Sequence, residues 1–282
     1  IVVKSPDPVQ HASDLADVFK AIRAYNLRLN PEKCTFGVNG GKFLGFMLTQ
    51  RGIEANPEKC QAIINMRSPV TVKEVQRLVG RLTAISRFLP KLAEKTGPMI
   101  KLLRKSTKFA WDDTCQQNFD QLKQLLTTPP ILSKPIPDVP LVVYISASDS
   151  VVSAAIVQEI DNKQQPIYFI SRVLQDPETR YQMVERVALS LVTTARRLRP
   201  YFQSHPITVR TDCPIQKILQ KPDLVGRFSA WSIELSEFSI RYEPRGAIKA
   251  QCLADFANDL QSYTATQSTW WTMHVDGSSN PK

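Results

Sequence analysis

The chain is organised around Leu141 to Val157, LVVYISASDSVVSAAIV. Val, Ile and Tyr fill its two arms, and β-branched and aromatic side chains favour a pleated surface over a helix. Ser146, Ala147, Ser148, Asp149 and Ser150 are small and mostly polar, and they sit where the first arm ends and the chain must turn. The stretch therefore reads as a buried strand, a tight turn and a second apolar strand.

Downstream the pattern continues with a strand at Pro166 to Ile170 and a helix from about Met183 to Leu198. Val184, Ala188, Leu191, Ala195 and Leu198 recur at the helical period and form its apolar face. A strand at Ile207–Thr211, helices at Pro214–Leu219 and Gly226–Leu235, a strand at Ser239–Tyr242 and a last helix at Cys252–Asp259 follow. Strands first, then alternation with helices, predict a mixed α/β domain. Ser262 to Thr269 is polar and reads as a linker. Trp271 to Val275 reads as one more strand, with no partner sequence after it, so it is expected to be the truncated start of a further unit.

Upstream, Thr127 to Pro140, TTPPILSKPIPDVP, has five prolines and can be neither a central strand nor a helix interior. It is expected to be a connection. Before it, Thr71 with Glu74 three residues on is a capping box. The helix that follows carries Val75, Leu78, Val79, Leu82 and Ile85 on one side, and Lys73, Arg77, Arg81 and Arg87 on the other. Pro57 to Asn65, Leu92 to Leu103 and Trp111 to Leu126 add further helices, so this part reads as a small basic helical module. At the start, a helix from about Ser13 to Asn26 has Ser13 as its N-cap. A hairpin is expected beyond it, with strands at Cys34–Val38 and Lys42–Leu48 about a turn at Asn39-Gly40-Gly41, closed by Ile53 to Ala55.

Charge divides the chain. Residues 1–110 hold 19 Lys and Arg against 8 Asp and Glu, a net +11, whereas residues 111–282 hold 17 against 18. A cationic field of that kind attracts polyanions. The five cysteines are scattered, with no CxxC, which excludes a disulfide scaffold or zinc finger and points to a reducing compartment. No apolar run approaches the ~18 residues of a membrane span. Ile1 to Pro6 is not a signal peptide, and the absence of a methionine before Ile1 reads as a piece of a longer protein.

Several blocks, in order, resemble the pol polyprotein of Ty3/gypsy-type long-terminal-repeat retrotransposons. They are Leu29 to Cys34 with Gly37 (LNPEKCTFG), Phe43 to Phe46 (FLGF), Phe109 to Pro130 with Trp111, Phe119 and Leu122, the hairpin at Leu141, and VRTDCP near Asp212. The resemblance implies a fold of mixed α+β and α/β class: residues 1–56 the end of a reverse-transcriptase palm, 57–128 a helical thumb and linker, 129–261 a degenerate RNase H-like domain, 262–269 a linker, and 270–282 the truncated first strand of a second RNase H domain. Phe43, Leu44, Gly45, Phe46 and Met47 would correspond to the primer grip. The polymerase aspartates of the family would precede Ile1.

RNase H chemistry needs about four carboxylates around two divalent metals, Mg2+ in the parent enzyme. Carried over by the resemblance, the positions are Ser146, Glu185, Asp212 and Asp255, with Asp276 an isolated acid of the truncated domain. A serine hydroxyl is neutral and a poor magnesium ligand, and Asp149 could replace it only if the turn folds back. The expectation is a chain that needs no cofactor of its own and holds no intact metal site. It would grip an RNA/DNA hybrid or other duplex without reading sequence, through Lys73, Arg77, Arg81 and Arg87, alongside the rest of the pol polyprotein. The parent would be intracellular, cytoplasmic with particle or nuclear stages, neither secreted nor at a membrane. Two other readings stay open at this point: an active metal-dependent RNase H on hybrids, and a non-enzymatic structural or interaction domain of a decayed element.

Overall fold

The computed structural model describes residues 1–245, apart from positions 4, 6, 39, 105–108 and 220–225. The expected helix Cys252–Asp259, the linker, the strand Trp271–Val275, and Asp255 and Asp276 lie outside the described residues. The chain divides into two compact units, residues 1–41 and the remainder.

The first unit is built on α1 (His11–Ala24). The helix starts before Ser13, the expected cap: Gln10 is the N-cap, its carbonyl accepting from Asp14 N at 3.0 Å, so Ser13 is already within the first turn. Asp14, also in that turn, suits the positive end of the helix dipole. The expected strand Cys34–Val38 does not form. Gly37 takes a positive φ of 65°, which breaks the extended run, and Phe36 turns to Phe19 in a tilted ring pair at 6.2 Å.

The second unit opens with β1 (Gly41–Phe43), β2 (Phe46–Thr49) and β3 (Gly52–Ala55), in that order in a three-stranded sheet. The expected turn at Asn39-Gly40-Gly41 includes position 39, which lies outside the described residues, and the turn that joins β1 to β2 comes later in the chain. The β1–β2 turn is Leu44-Gly45, whose φ values of 49° and 83° supply the left-handed pair that a two-residue hairpin turn demands. Lys42–Leu48, expected as one strand, is two strands either side of it.

Four helices follow: α2 (Pro57–Ile64), α3 (Val72–Ala84), α4 (Leu92–Lys101) and α5 (Asp113–Thr127). Pro57 occupies the first turn of α2 and Asn56 Oδ1 accepts from Glu58 N at 2.9 Å. On α3 the capping box is complete: Thr71 Oγ1 accepts from Glu74 N at 3.3 Å and Glu74 Oε2 from Thr71 N at 3.2 Å. Val75, Leu78 and Leu82 are buried at the helical spacing.

The proline-rich connection has few backbone donors to pair with itself, and it is strapped to its surroundings instead. Leu132 forms an isolated antiparallel bridge to Ile53, and Ser133 N donates to Pro166 O at 2.8 Å. The fully buried Gln158 bonds the backbone of Ile136 and Val139. Leu132 O comes so close to Gly52 that any Cβ there would overlap it, which fixes glycine at that position.

A five-stranded sheet then forms in the order β6-β5-β4-β7-β8. Its members are β4 (Leu141–Ala147), β5 (Val151–Ile160), β6 (Lys163–Val173), β7 (Ile207–Arg210) and β8 (Ile240–Glu243). The first three pair antiparallel, and β7 and β8 join parallel. The helices are α6 (Met183–Arg197), α7 (Arg199–Ser204), α8 (Ile215–Leu219) and α9 (Arg227–Ser236).

Strand alternation sends β4 into two cores. Leu141, Val143, Ile145 and Ala147 pack with Ala188, Leu191, Val192 and Ala195 of α6. Val142 and Tyr144, with Ala155, Val157 and Phe169, pack with Ile63, Leu78, Leu82, Phe88 and Phe119 of the helical module. Tyr144 is fully buried, and its hydroxyl accepts from Gln164 Nε2 and Arg210 Nη1 at 2.8 and 3.1 Å. Arg210 also makes a two-pronged bond to Glu159 at 2.7 and 2.8 Å, which raises the guanidinium pKa further. No helix among the described residues is long and apolar enough to cross a membrane.

Thr71→Ala removes one arm of the capping box and is expected to cost about 1 kcal/mol in urea denaturation. A second expectation concerns acid. Burial pushes the Glu178 carboxyl up, but bonds from Arg172 and the Gln175 backbone outweigh it, so its folded pKa is lowered. The resulting stability is fully present above the unfolded carboxyl pKa of about 4.3 and is lost as pH falls through the folded value. Arg172→Met should therefore destabilise at neutral pH, and the deficit should shrink below about pH 4 in denaturation curves taken across that range.

Candidate functional site

Ser146, the position that would carry the first nuclease acid, is the last residue but one of β4. Ser146 pairs with Ser153, and Ser153 with Ser171, so three serines form a row across β4, β5 and β6. The row lies on the sheet face that meets the helical module, since Tyr144, Ala155 and Phe169 share that face two residues away. Ala93 N at the start of α4 donates to Ser171 Oγ at 2.9 Å. Ser146 itself is 5% exposed. Hydroxyls fit such a seam because they can satisfy one another or a backbone donor without bringing a charge.

The parallel register ends at the pair Tyr144 and Arg210, the last residue of β7, and Ser146 and Asp212 each follow two residues beyond it in their own segments. The first turn of α6 reaches the same end of the sheet, for Arg186 Nη1 donates to Ser148 O at 3.1 Å. The local folds thus bring the Ser146, Glu185 and Asp212 elements to one end, but the acids there have other partners. Glu185 is the third residue of α6. Its Oε2 accepts from Gln182 N at 2.8 Å and its Oε1 from Arg227 Nη1 at 2.8 Å, so both oxygens are taken. Arg227 is held in turn by stacking on Tyr181, 3.9 Å from the ring centroid. Asp212 Oδ1 accepts from Arg245 N at 3.1 Å.

Asp149 lies in the turn between β4 and β5. Its side chain is 96% exposed, and it pairs with Arg186 Nη1 at 2.5 Å rather than folding back toward Ser146. Next to Asp212, burial pushes the Cys213 thiol up to about 11, which keeps it from acting as a thiolate. Among the described residues no group of three or more His, Cys, Asp or Glu is arranged to hold a metal ion. A divalent-metal centre needs converging, free carboxylate oxygens. Here a buried hydroxyl, an acid bonded through both oxygens and a third bonded to backbone do not fit one.

The basic residues separate into two groups. Lys73 and Arg77 are exposed on α3. Arg81 is exposed as well, and its Nη1 donates to Ala62 O at 2.8 Å. Arg87 does not share this helix face. α3 ends at Ala84, and Arg87 lies in the following 3-10 turn with its guanidinium 5.0 Å from the Phe46 ring and 4.7 Å from that of Tyr168. The helical period extrapolated past Ile85 misplaced it, because the chain tightens there and Phe88 is drawn fully into the core.

Of the hairpin residues Phe43 to Met47, Leu44 and Gly45 form the turn and Leu44 is 81% exposed. Phe46 packs on Phe88 at 5.7 Å between ring centroids. The sequence reading missed Arg227 and Arg186 as partners of the acids. The only signal for Arg227 was a cation at the start of a predicted helix, where the helix dipole disfavours it.

Ser146→Asp tests whether one acid is all that the site lacks. The substitution is expected to lower stability by about 1–3 kcal/mol, because it places a carboxylate in the buried seam. It should give no magnesium-dependent cleavage of a labelled RNA/DNA hybrid. Cleavage by this variant would show that the neighbouring acids can leave their partners.

Residues 111–209 match the family described as the RNase H-like domain found in reverse transcriptase. The Tf2-3 and Tf2-4 transposon polyproteins of Schizosaccharomyces pombe are each 26% identical over 255 residues, covering 88% of this chain. The chain spans 19% of the length of these curated relatives. Among solved structures, foamy viral protease-reverse transcriptase in complex with dsDNA superposes with a TM-score of 0.72 at 20% identity, covering 88% of this chain and 45% of that one. The same enzyme in complex with an RNA/DNA hybrid gives 0.72 at 20% identity, covering 99% and 36%. At that identity the superpositions establish the fold, and with the sequence matches they show a reverse-transcriptase and RNase H-like chain related to the polyproteins of Ty3/gypsy-type retrotransposons.

Proposed function

We propose that this chain grips a nucleic-acid duplex for a reverse transcriptase and does not itself cleave or extend it. Residues 1–56 would contribute the end of the palm, 57–128 the thumb and linker, and 129–261 a structural RNase H-like spacer. Residues 262–269 would be a linker, and 270–282 the start of a further RNase H unit. The observation that carries the reading is the exposed cationic face of α3, Lys73, Arg77 and Arg81, in the half of the chain that holds the whole excess of positive charge. Lysine and arginine on a helix face neutralise phosphates irrespective of sequence, and such contacts set register rather than read bases. That suits an enzyme that must copy any template.

The ligands named for the foamy viral relatives, dsDNA and an RNA/DNA hybrid, support the choice of partner. The remainder of the pol polyprotein would supply the polymerase acids and a working nuclease, each with its magnesium. The parent would act inside the cell, in the cytoplasm with particle or nuclear stages. Ser146 and the occupied oxygens of Glu185 support a spacer role for the sheet.

Affinity for a labelled hybrid duplex, measured against salt, tests the proposal. A steep fall of log K with log salt is expected, independent of duplex sequence. Replacing Lys73 and Arg77 together by Gln should reduce the slope by about 2 with little change in stability. Arg87→Gln should do the reverse, lowering stability and leaving the slope. A flat salt dependence of the unmodified chain would sink the reading.

A further inference from the structure

The β1–β2 hairpin has little to hold it in place. No residue of β1 or β2 is buried, and Leu44 at the turn is 81% exposed. The ion pair of Lys42 with Glu58 joins two exposed side chains and contributes little. Phe46 is the exception. Its ring is tilted against Phe88 at 5.7 Å between centroids, and the Arg87 guanidinium carbon lies 5.0 Å from its centroid. Arg87 and Phe88 are consecutive residues of one 3-10 turn, Ser86–Phe88, and Phe88 is fully buried. A single turn, anchored in the core, therefore holds the hairpin by one ring.

The same guanidinium reaches a second ring. Its carbon is 4.7 Å from the centroid of Tyr168, on β6, an edge strand of the five-stranded sheet. Phe46 and Tyr168 are not ring partners of each other among the described residues, so β6 meets the hairpin ring through the cation. Arg87 Nε is buried and makes no hydrogen bond among the described residues. A guanidinium desolvated in this way binds ring faces more strongly than an exposed one. We propose that Arg87 is a latch: the β1–β2 hairpin opens as a separate unit while both cores stay folded, and Tyr168 sets how readily it opens, through the Arg87 guanidinium. A two-stranded hairpin on its own is marginally stable, so once Phe46 leaves the stack the amides of β2 meet solvent. The latch does not depend on whether the chain grips a duplex, and no nucleic acid is needed to test it.

Native-state hydrogen exchange of the whole chain across a urea series tests the latch in the unmodified protein, Arg87→Met, Tyr168→Leu and the double variant. The amides of β2 should exchange through an opening with a smaller urea dependence than that of β4. A contact affects an opening only if that opening breaks it. Arg87→Met should therefore speed exchange in β2 about tenfold. Tyr168→Leu should speed it when Arg87 is present and hardly at all in Arg87→Met, since its action runs through the guanidinium. Arg87→Lys keeps the charge without the planar face; it should fall between, and it takes the place of Arg87→Met in the cycle if that variant does not fold. The latch is overturned if Arg87→Met speeds exchange in β4 but leaves β2 unchanged, if Tyr168→Leu acts equally in both backgrounds, or if the β2 amides exchange only in the opening that also exposes β4.

Discussion

β4 has protein on both of its faces, and most of the architecture follows from that. All seven residues of Leu141–Ala147 are buried. One face gives its apolar side chains to α6 and the other to the helical module that precedes the sheet in sequence. A sheet covered on one side only would read as alternating polar and apolar residues; a sheet covered on both reads as a continuous apolar run. LVVYISA is such a run, and Tyr144 is tolerated within it because Gln164 and Arg210 satisfy its hydroxyl.

This arrangement bears on chemistry. The serine row Ser146–Ser153–Ser171 sits at the margin of the face taken by the helical module, with the start of α4 donating into it. Around it the acids have found protein cations or donors: Glu185 with Arg227, Asp149 with Arg186, Asp212 with the Arg245 backbone. Of these only Glu185 is largely buried, and an ionised acid there needs a compensating partner; Asp149 and Asp212 are exposed to solvent. For Glu185 that partner is the Arg227 guanidinium, with the Gln182 backbone N–H on its other oxygen. The sheet carries helices on both faces, and Lys73, Arg77 and Arg81 are exposed on α3.

Much of this was legible in the sequence wherever local chemistry and global fold agree. The capping box at Thr71 and Glu74, the Pro57 start of α2, the β4–β5 hairpin and the helical face of α6 each carry their own signal within a few residues. The failures have physical causes. Cys34–Val38 has strand composition, but Gly37 takes a left-handed conformation and Phe36 finds Phe19. The glycine pair at 40 and 41 looked like a better turn than Leu44-Gly45, since leucine in the left-handed region costs about 1–2 kcal/mol; pairing of β1 with β2 outweighs that. Arg87 was read as a surface cation because helical periodicity says nothing of where a helix stops. Its stacking on Phe46 and Tyr168 joins residues 122 positions apart, which no local pattern encodes. Arg227 was missed for the same reason: it meets Glu185, 42 positions away in sequence.

The helical module and the five-stranded sheet share one core and stand or fall together. Native-state hydrogen exchange across a urea series measures this directly, through the amides of Leu78 and Leu82 in α3 and of Val143 and Ile145 in β4. A shared core requires the two sets to converge on one opening free energy with one urea dependence. Exchange of the α3 amides through a separate, lower-energy opening while β4 stays protected would contradict it.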